Sequence, residues 1–332
     1  MTEKKQKTES EPEAATPIIH VAPSPHLSDT ALTTQRMMID VLIALAPVVA
    51  MSLYVFRLYA VKQLLICLIS CLAAEWLFTT KMRDKPLTLN DYSASVTGII
   101  LAMSLPGTAP WYVGVIASVV AIGIGKVIFG GLGMNIFNPA MVGRAFVMIA
   151  FASALGASGY ESAKGAVDAI TQATPMDAFK QTGIVTPVSK LFWGVTNGSL
   201  GETSAFACII GGLYLCIRKT ASWEIPAGVL SVTALIGLIA NFVNPELQWT
   251  ALHHLLGGAV LFGAFFIATD PVSSPLTPKG KFIFGAGTGA FIMLLRLFSG
   301  YPEGVMFAVL LMNSITPLIN RWTIPRPLGS EK

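Results

Sequence analysis

Polar and apolar positions divide the chain into long apolar windows separated by short polar connectors. Ten windows stand out, at 37–57, 61–79, 91–106, 111–129, 136–155, 202–217, 224–243, 250–269, 281–298 and 304–320. Runs such as MIDVLIALAPVVAMSLYVF (Met38 to Phe56) approach or reach the roughly 20 apolar residues that carry a helix across a bilayer. Lipid offers no partner to backbone N–H and C=O groups, so this many separate spans imply helices rather than a β-barrel. The pattern predicts an all-α polytopic membrane protein with about ten transmembrane helices.

Two windows are interrupted. DYSASVTGIILAMSLPG (Asp91 to Gly107) is short and ends in Pro-Gly, and the window at 136–155 opens with Asn138-Pro139-Ala140. Interrupted segments often line an internal site instead of facing lipid. Asn138-Pro139-Ala140 reads as a helix start, with asparagine as the cap and proline in the first turn. The alternative is one half of a water-channel pair, but the other candidate, Asn244-Pro245-Glu246, falls in a connector. GAGTGA (Gly285 to Ala290) lacks the spacing and preceding strand of a dinucleotide loop. Its Gly285 and Gly289, four apart, instead suit close packing of helices in lipid.

Composition supports the bilayer. The 332 residues are 53% hydrophobic and 12% charged, against about a quarter charged in a soluble domain. The first 35 residues are polar and Pro-containing and read as a flexible tail with no signal-peptide pattern. Basic residues alternate from connector to connector: Lys81, Arg83 and Lys85, then Arg218 and Lys219, Lys279 and Lys281, and Arg321, Arg326 and Lys332. The positive-inside tendency puts those connectors and both termini in the cytoplasm; Arg57 and Lys62, at an outer turn, run against it.

This gives a cytoplasmic tail (1–35), a first five-helix repeat (36–155), an extracytoplasmic loop (156–201), a second five-helix repeat (202–320) and a cytoplasmic C-terminal tail (321–332). An odd number of helices per half makes any repeat inverted in the membrane, as in many transporters.

Few residues suggest chemistry. Cys67 and Cys71 share a helix face and, like Cys208 and Cys216, read as packing. His253 and His254 lack partners at metal-ligand spacing, and no P-loop or nucleophile elbow occurs. Lys126 and Arg144 lie in apolar surroundings with no acid nearby in sequence, which makes them candidate contacts for an anion such as a flavin phosphate, or for a quinone oxygen. Helix-end snorkelling or intersubunit pairing is the alternative. Asp40, Glu75, Asp91, Asp270, Glu202 and Glu303 fall near helix ends and read as caps or interfacial anchors, with an ion path the alternative for some of them.

Within the long loop stands DAITQATPMD, Asp168 to Asp177, a small, polar, proline-broken stretch. Asp168, Thr171, Ala173 and Thr174 resemble the Dxx(S/T)xAT flavinylation sequence of membrane subunits of the sodium-pumping quinone reductase and of the Rnf electron transport complex. Gln172 replaces the glycine usual two positions before the acceptor. SPHLSDTALTTQRMMIDVLIALAP, GMNIFNPAMVGRAF, GSLGETSA, ATDPVSSPLTPKGKFIFG and RLFSGYPEGVMFAVLLMNSITPLI extend the resemblance over about residues 24 to 328. Chain length favours the Rnf D branch over the longer quinone reductase B branch.

The resemblance implies a urea-transporter-like pair of inverted repeats in a bacterial cytoplasmic membrane. It implies FMN held covalently on Thr174 through a phosphoester, with Thr171 the alternative acceptor, and a second, noncovalent flavin, riboflavin, among the helices. Such an acceptor needs a hydroxyl on an accessible loop; a separate flavin transferase attaches the cofactor on the extracytoplasmic side. The other partners implied are the A, B, C, E and G proteins of the Rnf complex, which hold the NAD site and most iron–sulfur clusters. This chain has no complete site for NAD or ferredoxin, and no nucleic acid is expected as a partner. The function implied is electron relay coupled to sodium or proton translocation. A solute channel or permease of the same architecture is the alternative from the residues alone.

Overall fold

The apolar windows return as helices in the computed structural model of the protein, which describes residues 33–82, 89–155, 174–183, 185–194, 196, 198–244, 249–299 and 304–325. The first group comprises α1 (Thr34–Phe56), α2 (Leu58–Trp76), α3 (Ser93–Ser104), α4 (Trp111–Ile122) and α5 (Pro139–Ala150). Among the described residues the connector holds two short helices, α6 (Pro175–Thr182) and α7 (Val188–Trp193). The second group comprises α8 (Ala205–Ile217), α9 (Glu224–Val243), α10 (Ala251–Leu256), α11 (Val260–Phe262), α12 (Pro278–Phe298) and α13 (Val305–Thr323). Among the described residues there is no strand, only one antiparallel bridge between Pro106 and Ser199.

Among the described residues five helices, α1, α2 with its extension, α9, α12 and α13, are long and apolar enough to cross a membrane. α3 and α5 have 12 residues each, about 18 Å at 1.5 Å per residue, well short of a hydrocarbon core of about 30 Å. Neither is long enough on its own to span such a core. The window at 250–269 departs from the single helix expected. It breaks between α10 and α11, where Gly257 is extended and Gly258 has φ +69°. A left-handed residue cannot continue a right-handed helix, and glycine takes that conformation at little cost.

Three helices run on into π-helical turns: Leu77–Met82 after α2, Gly123–Val127 after α4 and Gly263–Ile267 after α11. Such widened turns interrupt regular packing and recur at functional sites. The second and third of these lead into loops that end at Asn138 and Thr277. Each of those residues caps the next helix with its side chain and has proline in the first turn. The cap reading of Asn138-Pro139-Ala140 therefore holds.

Within the first group α2 packs on α3 and α4, and α4 on α5; within the second α9 packs on α10 and α12, and α12 on α13. The groups meet through α1 against α8 and α5 against α13. Close approach depends on glycine at two of these crossings. A Cβ at Gly211 would lie 2.1 Å from the Ala44 carbonyl oxygen, and one at Gly285 would lie 2.3 Å from that of Ile225. The packing role expected of Gly285 is thus borne out.

Tryptophans mark the two ends of the bundle. Trp111 and Trp193 are exposed at one end, and Trp76, Trp223 and Trp322 at the other, as expected of residues that settle at the two membrane–water boundaries. The second end also carries Lys81, Arg218, Lys219, Lys279, Lys281 and Arg321. Asp40 at the start of α1 ties it together: it accepts hydrogen bonds from Tyr214 (3.2 Å), Arg218 (3.4 Å) and Thr220 (3.1 Å). The expected cap role of Asp40 becomes a stitch between the two helix groups.

Candidate functional site

The fold leaves two candidate sites, and α8 runs from one to the other. Its 13 residues separate them by about 20 Å.

The first is a cavity at the basic end, between the two groups. Its cavity volume is about 80 Å³, and it opens in part to solvent. The early turns of α1 and α3 contribute Met38, Val96 and Ile100, and the second group adds Phe266, Thr269 and Asp270. Its polar wall comes from the broken segments. Asn138 Oδ1 accepts from Met141 N (3.3 Å) while its Nδ2 donates to the Ile267 carbonyl (3.0 Å). Asn135 Nδ2 donates to the Phe137 carbonyl (3.0 Å) and to Asp270 (3.4 Å), whose carboxylate also accepts from Ser273 (2.8 Å). An apolar enclosure with a few convergent polar groups is what a cofactor site requires.

Lys126 sits on this wall, 2% exposed, and it is not unbalanced. Its ammonium donates to both oxygens of Glu75, at 2.6 and 2.7 Å, and to Ser93 Oγ. Ser93 in turn donates to Asp91. Both members of the ion pair are buried to the same degree. Glu75 is therefore a buried counter-ion, not the cap or anchor expected, and the pairing of Lys126 is neither snorkelling nor between subunits. Burial of either charge alone would be costly, which is why the two come together.

The second site lies at the opposite end, around Thr174. Thr174 precedes α6, and its carbonyl accepts from Ala178 N at 2.8 Å, which makes it the residue capping that helix with Pro175 in the first turn. Thr174 is 6% exposed. It lines a cleft with Met176, Leu191, Thr196, Glu202 and Gly258. Only about 10 Å³ of that cleft can be reached by the centre of a water molecule, room for about one water and none for a flavin ring. The expected accessible loop is thus a docked helix start. Its cause is the packing of α6, where Phe179 stacks on Trp249 with ring centroids 4.9 Å apart and Lys180 donates to the Ser299 carbonyl at 3.0 Å. Trp249 is 1% exposed and leans on His253, so the two histidines belong to the wall beneath α6.

Arg144, on α5, belongs to this end. One guanidinium nitrogen lies 4.0 Å from Glu202 Oε1, and the two side chains are 13% and 6% exposed. Lys126 and Arg144, paired as candidates in the sequence, thus serve opposite ends of the molecule. Asp168, Thr171, Gln172 and Ala173 lie outside the described residues.

The model of the NQR2, RnfD, RnfE family matches residues 20–329. The chain belongs to this family. It is 42% identical, over 94% of its length and 96% of the relative's, to the D subunit of the Na(+)-translocating ferredoxin:NAD(+) oxidoreductase complex of Acetobacterium woodii. It is 37% identical, over 95% and 97%, to the D subunit of the proton-translocating ferredoxin:NAD(+) oxidoreductase complex of Clostridium ljungdahlii. Identity to the D subunit of the ion-translocating oxidoreductase complex of Halorhodospira halophila is 39%, over 91% and 93%.

Within this family member, four residues of the two sites are not evident from sequence as parts of a site. Asn135 and Glu202 both stand in stretches that carry the resemblance, GMNIFNPA and GSLGETSA. Trp249 and Phe179 give no signal, because stacking across 70 positions leaves no periodic trace.

Proposed function

We propose that this chain is the D subunit of an ion-translocating ferredoxin:NAD oxidoreductase, and that it relays electrons through FMN esterified to Thr174. The observation that carries the reading is the setting of Thr174. A threonine in a flavinylation-like sequence, in a chain 42% identical to a D subunit, caps α6. Backbone N–H groups at a helix start and the helix dipole favour an anionic phosphate there. Arg144 lies 4.0 Å from Glu202, which lines the Thr174 cleft, and so brings a cation to that cleft's wall. The residues therefore fit the phosphate end of FMN. FMN would supply one-electron redox chemistry, while the chain holds its phosphate, limits water and sets its distance from partners.

For a second, noncovalent flavin, riboflavin, the cavity at the basic end offers the lining, with Asn135, Lys126 and Asp270 on its polar side and Phe266 and Ile100 on its apolar side, and the flavin would have to part these walls to enter. The broken segments flanking it, Gly123–Val127 and Gly263–Ile267 with their loops, are the natural place to couple electron transfer to an ion. We place the basic end and both termini in the bacterial cytoplasm and Thr174 on the other side, where the flavin transferase would act. The two helix groups are read as inverted repeats, 36–155 and 202–320, and the A, B, C, E and G proteins of the Rnf complex as partners.

The test is expression with and without a flavin transferase, followed by denaturing electrophoresis. The chain should fluoresce as flavin only with the transferase, and Thr174→Ala should abolish the signal. Fluorescence unchanged by Thr174→Ala would refute the assignment. Solute flux through the isolated chain in liposomes, without a redox partner, would favour a channel or permease instead.

A further inference from the structure

Beneath α6 two enclosed nitrogens stand without partners. Neither Trp249 Nε1 nor His254 Nδ1 has a hydrogen-bond partner among the described residues, although both atoms are buried. Their rings stand edge-on, with centroids 6.2 Å apart. Buried polar groups are as a rule hydrogen-bonded, so two orphans on neighbouring rings call for an explanation. The phenyl ring of Phe179 covers Trp249, stacked with 4.9 Å between centroids, and it offers neither nitrogen anything to bond. Phe179 itself is only half-buried, so its ring can turn outward without unfolding α6.

This aromatic shelf adjoins the Thr174 cleft. Gly258 lines the cleft, and a Cβ added at its chain neighbour Gly257 would lie 3.4 Å from Trp249 Cζ2. Two glycines at the break between α10 and α11 therefore lie between threonine and indole, and they put no side chain in the way. Phe179 follows Thr174 by five residues along α6, a rise of about 7.5 Å, which the arm joining phosphate to ring in FMN can span. The cleft itself has room for about one water. The ring of a flavin tethered there has to settle beside it.

We propose that Trp249 is the stacking platform for the isoalloxazine ring of the flavin on Thr174, and that this ring takes the place Phe179 holds. This rests on reading Thr174 as the flavin-bearing residue. A phenyl ring supplies only the stack, whereas isoalloxazine is a planar aromatic system edged with nitrogens and carbonyl oxygens. It keeps the face-to-face contact and brings an acceptor to the indole N–H of Trp249 and a polar partner to the imidazole of His254. Phe179 is then a placeholder that keeps the shelf dry and closed until the flavin is attached. Trp249 and His254 hold the ring at a fixed place and orientation, which sets its distance from redox partners.

An indole stacked on isoalloxazine quenches its fluorescence, and this gives the test. Wild type, Trp249→Phe and Trp193→Phe are made with a flavin transferase, and flavin emission is read from each chain folded in detergent and again after denaturation. Folded wild type should be strongly quenched and brighten on denaturation. Trp249→Phe should brighten the folded protein several-fold, toward its denatured value, while Trp193→Phe, which alters an exposed tryptophan at the same end, should leave the quenching intact. Equal folded emission in wild type and Trp249→Phe, or brightening in Trp193→Phe instead, would overturn the platform. A second measurement needs no change at Trp249: 4-fluorophenylalanine placed at Phe179 should become more accessible to a water-soluble paramagnetic agent, by fluorine resonance, once the chain is flavinylated. An unchanged resonance would overturn the exchange. Absence of flavin from denatured wild type made with the transferase would instead overturn the reading of Thr174.

Discussion

Asn138 Nδ2 donates to the carbonyl oxygen of Ile267 across 3.0 Å, joining the start of α5 to the end of the π-helical turn in the other helix group. The amide does two jobs, since its oxygen also caps α5. Asn138→Asp keeps the cap but replaces the donor with a second acceptor facing a carbonyl. The expected loss is about 1–3 kcal/mol, the cost of an unsatisfied buried group. Asn138→Ala removes the cap as well and should lose about 1 kcal/mol more. Thermal unfolding in detergent, ranked wild type, Asp, Ala, checks this.

The pair Lys126–Glu75 yields a sharper contrast. Removing one partner, in Lys126→Met or Glu75→Gln, leaves a buried charge or a stranded amide and should cost about 3–5 kcal/mol. Replacing both, in Lys126→Met with Glu75→Leu, should recover much of that loss, because the desolvation penalty disappears with the charges. Fluorescence-detected size-exclusion chromatography after a heating series measures it. A double variant no better than the worse single one would show that the ion pair is not the reason for the cost.

Gly285 lets α12 lie against α9, with its backbone close to the Ile225 carbonyl. Gly285→Val forces the helices apart and should destabilise by about 1–3 kcal/mol, as overpacking of a tight contact does. The yield of monodisperse protein should fall accordingly. An unchanged yield and melting point would mean that α9 and α12 are less closely packed than described.

Thr174 is shielded by the docking of α6, so access to it should depend on Phe179. In a Cys216→Ser background, where the remaining native cysteines are buried, Thr174→Cys should react slowly with a membrane-impermeant maleimide. Phe179→Ala removes the stack on Trp249, worth about 0.5–1.5 kcal/mol beyond buried area, and should raise the rate up to roughly tenfold. Equal rates with and without Phe179 would show that α6 does not control access. The same docking implies that flavin attachment either precedes it or requires α6 to lift.

How much of this is legible in sequence follows from the range of the interactions. The apolar windows mark eight of the ten segments as single helical elements, α9 to the residue, because a helix buries its apolar run locally. The cap of Asn138 and the close contact at Gly285 are also legible, since each follows from a few adjacent residues. The break at Gly257-Gly258 is not, because two glycines in an apolar run read equally well as packing. Lys126 looks unbalanced in sequence only because Glu75 lies 51 positions away. Thr174 looks accessible there because its cover is made by α6, Trp249 and Glu202, which only folding assembles.

Tandem mass spectrometry of the peptide containing Thr174, from protein made with a flavin transferase, tests the central claim most directly. The account predicts that fragment ions retaining Thr174 carry the mass of one FMN less one water, and that those containing Thr171 without Thr174 do not. An unmodified peptide, or FMN on Thr171, would contradict it.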